Sequence, residues 1–136
     1  MKKNLIIFLA ILFVSLSAHA EYTDAQRLKD MQIMESAVSK IQKGLLYNKA
    51  EVVELGVNQL QDVIKEVQAP KKKDEVPGMT DQYSAKYTKK LSDKMISFSE
   101  KIKEDIKAGH KHSAAKNYVN VLNQCISCHN KVRPGK

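Results

Sequence analysis

The sequence predicts an all-α chain, an antiparallel up-down-up-down bundle of four helices. Three observations carry that prediction. Apolar residues return every three or four positions in four separate segments, the period of a helix that buries one face. No segment alternates with period two for long enough to make a strand, and there is no internal repeat or low-complexity tract. The breaks between segments are mostly short, and short connections make antiparallel neighbours of successive helices.

The first segment runs from Asp24 to Leu46, with Leu28, Met31, Met34, Val38, Ile41 and Leu45 on one stripe. Gly44 and Asn48 punctuate its end. Asn48 and Glu51 have the spacing of a capping box, in which Asn accepts from first-turn amides while Glu reaches back. They open a second helix carrying Val52, Val53, Leu60, Val63, Ile64 and Val67, which stops before Pro70. Residues 70–78, PKKKDEVPG, form the one obvious long loop. A third pattern begins near Thr80 and passes through Tyr83, Tyr87, Leu91, Met95, Phe98, Ile102 and Ile106, with Gly109 as its left-handed cap. The fourth starts near Ser113 and leads through Tyr118, Val121 and Leu122 into Cys125 and Cys128.

The first twenty residues follow a different logic. Lys2 and Lys3 precede an apolar run from Leu5 to Val14, and Ala18-His19-Ala20 offers small residues at a cleavage site. The expectation is a signal peptide over 1–20, removed on export to the periplasm, and a single mature domain over 21–136. The apolar run is shorter than the roughly 20 residues a membrane span needs, and no other segment is apolar enough to cross a bilayer. Loss of Lys2 and Lys3 lowers the formal charge from +8 to +6. An exported protein seldom meets nucleic acid, so the basic balance points to acidic groups on a protein partner or an anionic surface.

Both cysteines lie near the end of the sequence, in the run Cys125-Ile126-Ser127-Cys128-His129. On a helix, residues i, i+3 and i+4 share a face, so the two thiols and the imidazole point the same way. Covalent haem attachment needs this set, two thiols to add to the porphyrin vinyl groups and an imidazole beside them for the iron. A structural zinc site wants four ligands, and the other histidines of the mature chain, His110 and His112, sit on a lysine-rich turn and read as solvated. A thioredoxin-like pair should follow a strand and open a helix, whereas this one closes a helix. A plain disulfide suits an oxidising compartment but leaves His129 without a role. The expectation is one haem c, with the disulfide as the competing state of the haem-free chain.

Export, four helices and this motif in the last of them resemble the class II cytochromes c, the cytochrome c prime family, over nearly all of the mature chain. That family's fourth helix often closes Cys-x-x-Cys-His-x-x-Tyr-Arg; here Arg133 falls in place and Val132 stands where tyrosine is usual. Its first helix commonly carries Arg-x-x-x-Leu with the leucine over the open face of the haem, and the matching residues here are Arg27 and Met31. The resemblance implies covalent haem at Cys125 and Cys128, His129 on the iron, and Arg27 and Arg133 at the haem edge. It puts Met31 over the iron, where a thioether closes the site, as in the low-spin relatives. Met34 on the same stripe is the runner-up ligand and Met79 a third contender, while Met95 reads as bundle core.

With His and Met ligation, the implied function is a one-electron carrier rather than an enzyme, working with a redox partner that is acidic where it docks. An open sixth position would instead imply a five-coordinate protein that binds nitric oxide or a similar gas. A non-haem helical protein with a redox-active or structural disulfide is the third reading. Members of the family often pair as homodimers through their first two helices, an expectation that comes with the resemblance.

Overall fold

Thr23 starts the first helix: its hydroxyl accepts a hydrogen bond from the Gln26 amide at 3.2 Å, satisfying one of the donors that every helix start leaves open. The computed structural model describes residues 23–67 and 85–132. Among these it contains four α-helices and no strand: α1 (Asp24–Leu46), α2 (Ala50–Glu66), α3 (Ala85–Lys107) and α4 (Lys111–Val132). The expected signal peptide, the 70–78 loop, Met79, Tyr83 and Arg133 lie outside the described residues.

The turn between α1 and α2 differs from the expected capping box. Asn48 has φ 55° and closes α1 instead of opening α2. The Lys49 amide donates to the Gly44 carbonyl at 2.8 Å and the Asn48 amide to the Leu45 carbonyl at 3.4 Å, the paired bonds of a left-handed helix end. Asn tolerates that conformation better than most residues. Lys49 becomes the N-cap of α2, with no side-chain capping bond. The second left-handed turn, this one at a glycine, follows expectation. Gly109 has φ 78°, its amide donates to Ile106 at 3.1 Å, and the His110 amide donates to Asp105 at 2.7 Å. The Asp105 carboxylate then accepts from Ser113 and Asn117, each at 2.8 Å, which fastens the first turns of α4 to α3.

Gly44 does not punctuate α1; it lies buried within it. A Cβ there would come within 2.6 Å of the Val53 side chain and 2.7 Å of the Val53 backbone nitrogen. One at Gly56 would stand 2.9 Å from both the Ala37 carbonyl oxygen and the Ile41 nitrogen. The two glycines let α1 and α2 approach backbone to backbone. Between them lie Ala37, Ile41, Val53, Val57 and Leu60, all essentially without solvent contact. Met95 and Ile102 of α3 and Ala114 and Val121 of α4 complete the common core.

Successive helices pack on one another, and the seam between α1 and α4 is the least engaged. Across the α2–α3 seam the Gln61 amide donates to Ser99 at 3.1 Å and to Glu100 at 3.0 Å, while the buried Ser99 hydroxyl donates to the Ile96 carbonyl at 2.9 Å. The Gln61 bond, with Lys103 behind it, holds the Glu100 carboxyl below the usual carboxylate range. The open α1–α4 seam corrects one expectation. Leu28, placed by periodicity on the buried stripe, is 57% exposed.

The glycine contacts give a prediction of unusual sign. Alanine normally stabilises a helix interior relative to glycine by roughly 0.5–1 kcal/mol. Gly56→Ala should instead destabilise the protein by about 1–3 kcal/mol, since its methyl meets backbone that cannot swing aside. Urea unfolding checks this, and a rise in stability would mean that the helices separate freely.

Candidate functional site

A cavity of about 550 Å³ opens between α1, α3 and α4, closed at one side by Val67 at the end of α2. Helix α1 lines it with Leu28, Met31, Gln32, Met34, Glu35 and Val38, and α3 with Thr88, Leu91, Ser92 and Met95. The α4 wall is Leu122, Cys125, Cys128 and His129, a set repeating every three or four residues. The Cys-x-x-Cys-His run therefore faces a largely apolar space, and its two half-buried cysteines are not joined in a disulfide.

Two contacts fix the motif against α3. The Tyr87 hydroxyl donates to the carbonyl of Ser127, in the middle of Cys-x-x-Cys, at 3.1 Å. The Cys125 Sγ lies 3.9 Å from the Met95 Sδ. Within α4, the Ser127 hydroxyl donates to the Asn123 carbonyl at 2.7 Å. Burial pushes the Cys125 thiol up from its ordinary value, and the neighbouring Cys128 adds to the effect, because a thiolate there would be both desolvated and near a like charge.

Of the residues singled out from the sequence, Met31, Met34, Cys125, Cys128 and His129 all line this one cavity. Arg27 is half-buried, with its Nε shielded from solvent, and is not part of the lining. His110 and His112 are exposed at the α3–α4 turn, in keeping with solvated residues. Met95 is core, as expected, but it is also cavity wall. Sequence reasoning missed Thr88, Leu91 and Ser92, although with Met95 they form an i, i+3, i+4, i+7 stripe. The missing signal was which face of α3 meets a cavity and which meets plain core.

The residues present fit a covalently attached haem. Two thiols and an imidazole stand on one wall, methionines line the wall formed by α1, and the volume falls in the range of about 300–1,000 Å³ common to cofactor pockets. They do not build a site for a bare ion. Among the described residues no three His, Cys, Asp or Glu side chains gather closely enough to hold one. No family model matches the chain, and neither the curated proteins nor the solved structures provide a match.

The raised Cys125 pKa has a measurable consequence. In haem-free protein carrying Cys128→Ser, alkylation of Cys125 should reach its midpoint at a higher pH than for a cysteine in an unfolded chain. A group whose folded pKa is raised stabilises the fold below its unfolded pKa and loses that contribution as pH rises through the folded value. Haem-free protein with both cysteines should thus become less stable as pH climbs past the ordinary thiol range, which thermal melts across that range check.

Proposed function

We propose that the chain is an exported c-type cytochrome that carries single electrons through one haem, covalently held by Cys125 and Cys128. The observation that carries this reading is the convergence of those two thiols, His129 and the two methionines of α1 on the walls of one apolar cavity. When bound, the haem supplies an iron that cycles between ferric and ferrous states. The chain holds it, orients it and limits its contact with water. His129 is the ligand from the α4 wall. Leu91, Leu122 and Val38 offer the apolar surface that keeps the local dielectric low.

An antiparallel up-down-up-down bundle is part of the proposal, and the order of contacts supports it. Gly44 meets Val53 while Gly56 meets Ile41; Glu54 pairs with Lys107 while Gln61 meets Ser99; Asp105 meets Ser113 while Tyr87 meets Ser127. Along each pair, numbers rise on one helix as they fall on the next. Exposed Leu46, Tyr47 and Leu55 at the α1–α2 end support the homodimer that the family resemblance implies. Among the described residues no helix is long and apolar enough to cross a membrane.

Met31 is the proposed ligand on the α1 side. At about 100° per residue, the lining residues of α1 span an arc of about 160°, with Met31 about 20° from its middle. Met34 stands at the edge of that arc, where α1 turns into the core, and is 8% exposed. Met31 faces the cavity more directly than Met34, which is shared with the buried core.

Two predictions follow from these assignments. Acid–acetone extraction should leave the haem on the protein, and mass spectrometry should find one haem added and residues 1–20 lost; free release of the haem would defeat the attachment at Cys125 and Cys128. Met31→Ala should turn a low-spin spectrum high-spin, speed carbon monoxide binding and lower the reduction potential. Met34→Ala should keep the low-spin spectrum and cost stability of about 2–5 kcal/mol, the range for truncating a buried methionine. A wild-type protein that is already high-spin would assign the cavity to gas binding, and one with no haem absorbance would assign the two cysteines to thiol or disulfide chemistry.

A further inference from the structure

Helix α3 is a wall with two chemically different faces. Thr88, Leu91 and Met95 line the cavity. Lys86, Lys90, Lys94 and Lys101 are all exposed. At about 100° per residue these four lysines fall within about 80° of one another, in an arc centred about 150° from the cavity-lining residues. Between Lys86 and Lys101 the only other residue in that arc is Ser97, so no carboxylate interrupts it. Glu104, one turn beyond Lys101, bounds the row at its end, and the two acids that flank it earlier are engaged: Asp93 is held by Lys89 at 2.9 Å and Glu100 by Lys103 at 3.2 Å. Among the described residues none of the four makes an ion pair; Lys101 lies 5.8 Å from the centre of the Phe98 ring.

Successive members at the start of the row are about 6 Å apart along the helix axis. That is less than the Debye length of about 8–10 Å, so their potentials add before salt screens them. The row runs for about 22 Å, the length of a protein docking patch. A lipid surface suits it less well. A helix that settles into a bilayer interface needs large apolar side chains to sink, and none of the exposed large hydrophobics lies on α3.

We infer that the outer face of α3 is the docking surface for an acidic protein, recognised through Lys86, Lys90, Lys94 and Lys101. The inference rests on the electron-carrier reading for its purpose, since a partner seated there would stand one helix diameter, about 10 Å, from the cavity. Its test does not need the haem. Isotope-labelled protein is titrated with plastocyanin, an acidic redox protein used as probe, at low and at physiological salt, and separately with phosphatidylglycerol vesicles.

Amide shifts should cluster on residues 86–101 and fade as salt rises. Lys90→Glu with Lys94→Glu should weaken binding at low salt by about tenfold or more, within the range that electrostatic steering spans. Lys29→Glu with Lys116→Glu changes net charge equally and should weaken it by less than about threefold, those lysines lying on α1 and α4. Circular dichroism establishes that both variants fold. Shifts that map elsewhere, equal losses in the two variants, or tighter binding to the vesicles than to the probe would overturn the inference. A protein without haem absorbance would remove the electron-carrier reading and leave the mapped surface standing. A haem protein with a silent lysine face would remove this inference alone.

Discussion

Everything at the candidate site depends on the seam that α1 and α4 leave open. Elsewhere the helices are drawn together by specific devices: paired glycines between α1 and α2, a polar cluster between α2 and α3, and the Asp105 carboxylate between α3 and α4. The fourth seam is the least engaged of the four. Its consequence is a cavity of about 550 Å³ beside a tightly packed core. A sealed dry void of that size would cost on the order of 13 kcal/mol at ~24 cal/mol per Å³, comparable to the entire stability of a typical domain. The cavity is open at one side, which makes that figure an upper bound. Even a fraction of it strongly favours a large apolar occupant.

The motif and the cavity supply independent constraints that agree. Cys-x-x-Cys-His specifies which atoms are available, and helical periodicity makes them share a face. Periodicity cannot say what lies opposite that face. In the structure it is a space lined by thioethers and aliphatic side chains, with Met95 in contact with the Cys125 sulfur and Tyr87 bonded within the motif. A structural disulfide or a bare metal ion has no use for so large an apolar chamber. A covalent haem, as proposed, would use both the nucleophiles and the volume.

Much of the fold was legible because it rests on local rules. The extent of α1 follows from its apolar stripe, and the end of α3 from the need for positive φ at Gly109. The misreadings share one cause. Gly44 near the end of a stripe looks like a terminator, but its reason is the Val53 backbone, a partner that periodicity cannot see. Asn48 followed by Glu51 looks like a cap, but the turn is so short that Asn48 must serve the end of α1. Leu28 has the spacing of a core residue and lies at a seam that does not close. In each case the sequence specifies a face and the structure specifies what approaches it. The same limit applies at the site: Cys125, Cys128 and His129 could be read from chemistry, whereas Thr88, Leu91 and Ser92 depend on where the cavity falls.

On the proposed reading, the open seam would also govern the choice between electron carrier and gas binder. Three methionines line the cavity, but they are not equivalent. Met95 comes from α3 and is already against Cys125, on the side where the haem would be attached. Among the described residues only α1 brings thioethers from a different wall, and of its two methionines Met34 is the more deeply buried, as part of the core. Were a haem bound there, closure of its iron from the described residues would rest on the reach of the Met31 side chain across the α1–α4 gap. A methionine is suited to that task because its unbranched chain adjusts to irregular gaps at little cost. A leucine at the same position would fill the space without offering a ligand. On the proposed reading, the least engaged seam of the four would both make room for the haem and, through one side chain, set how the iron is used.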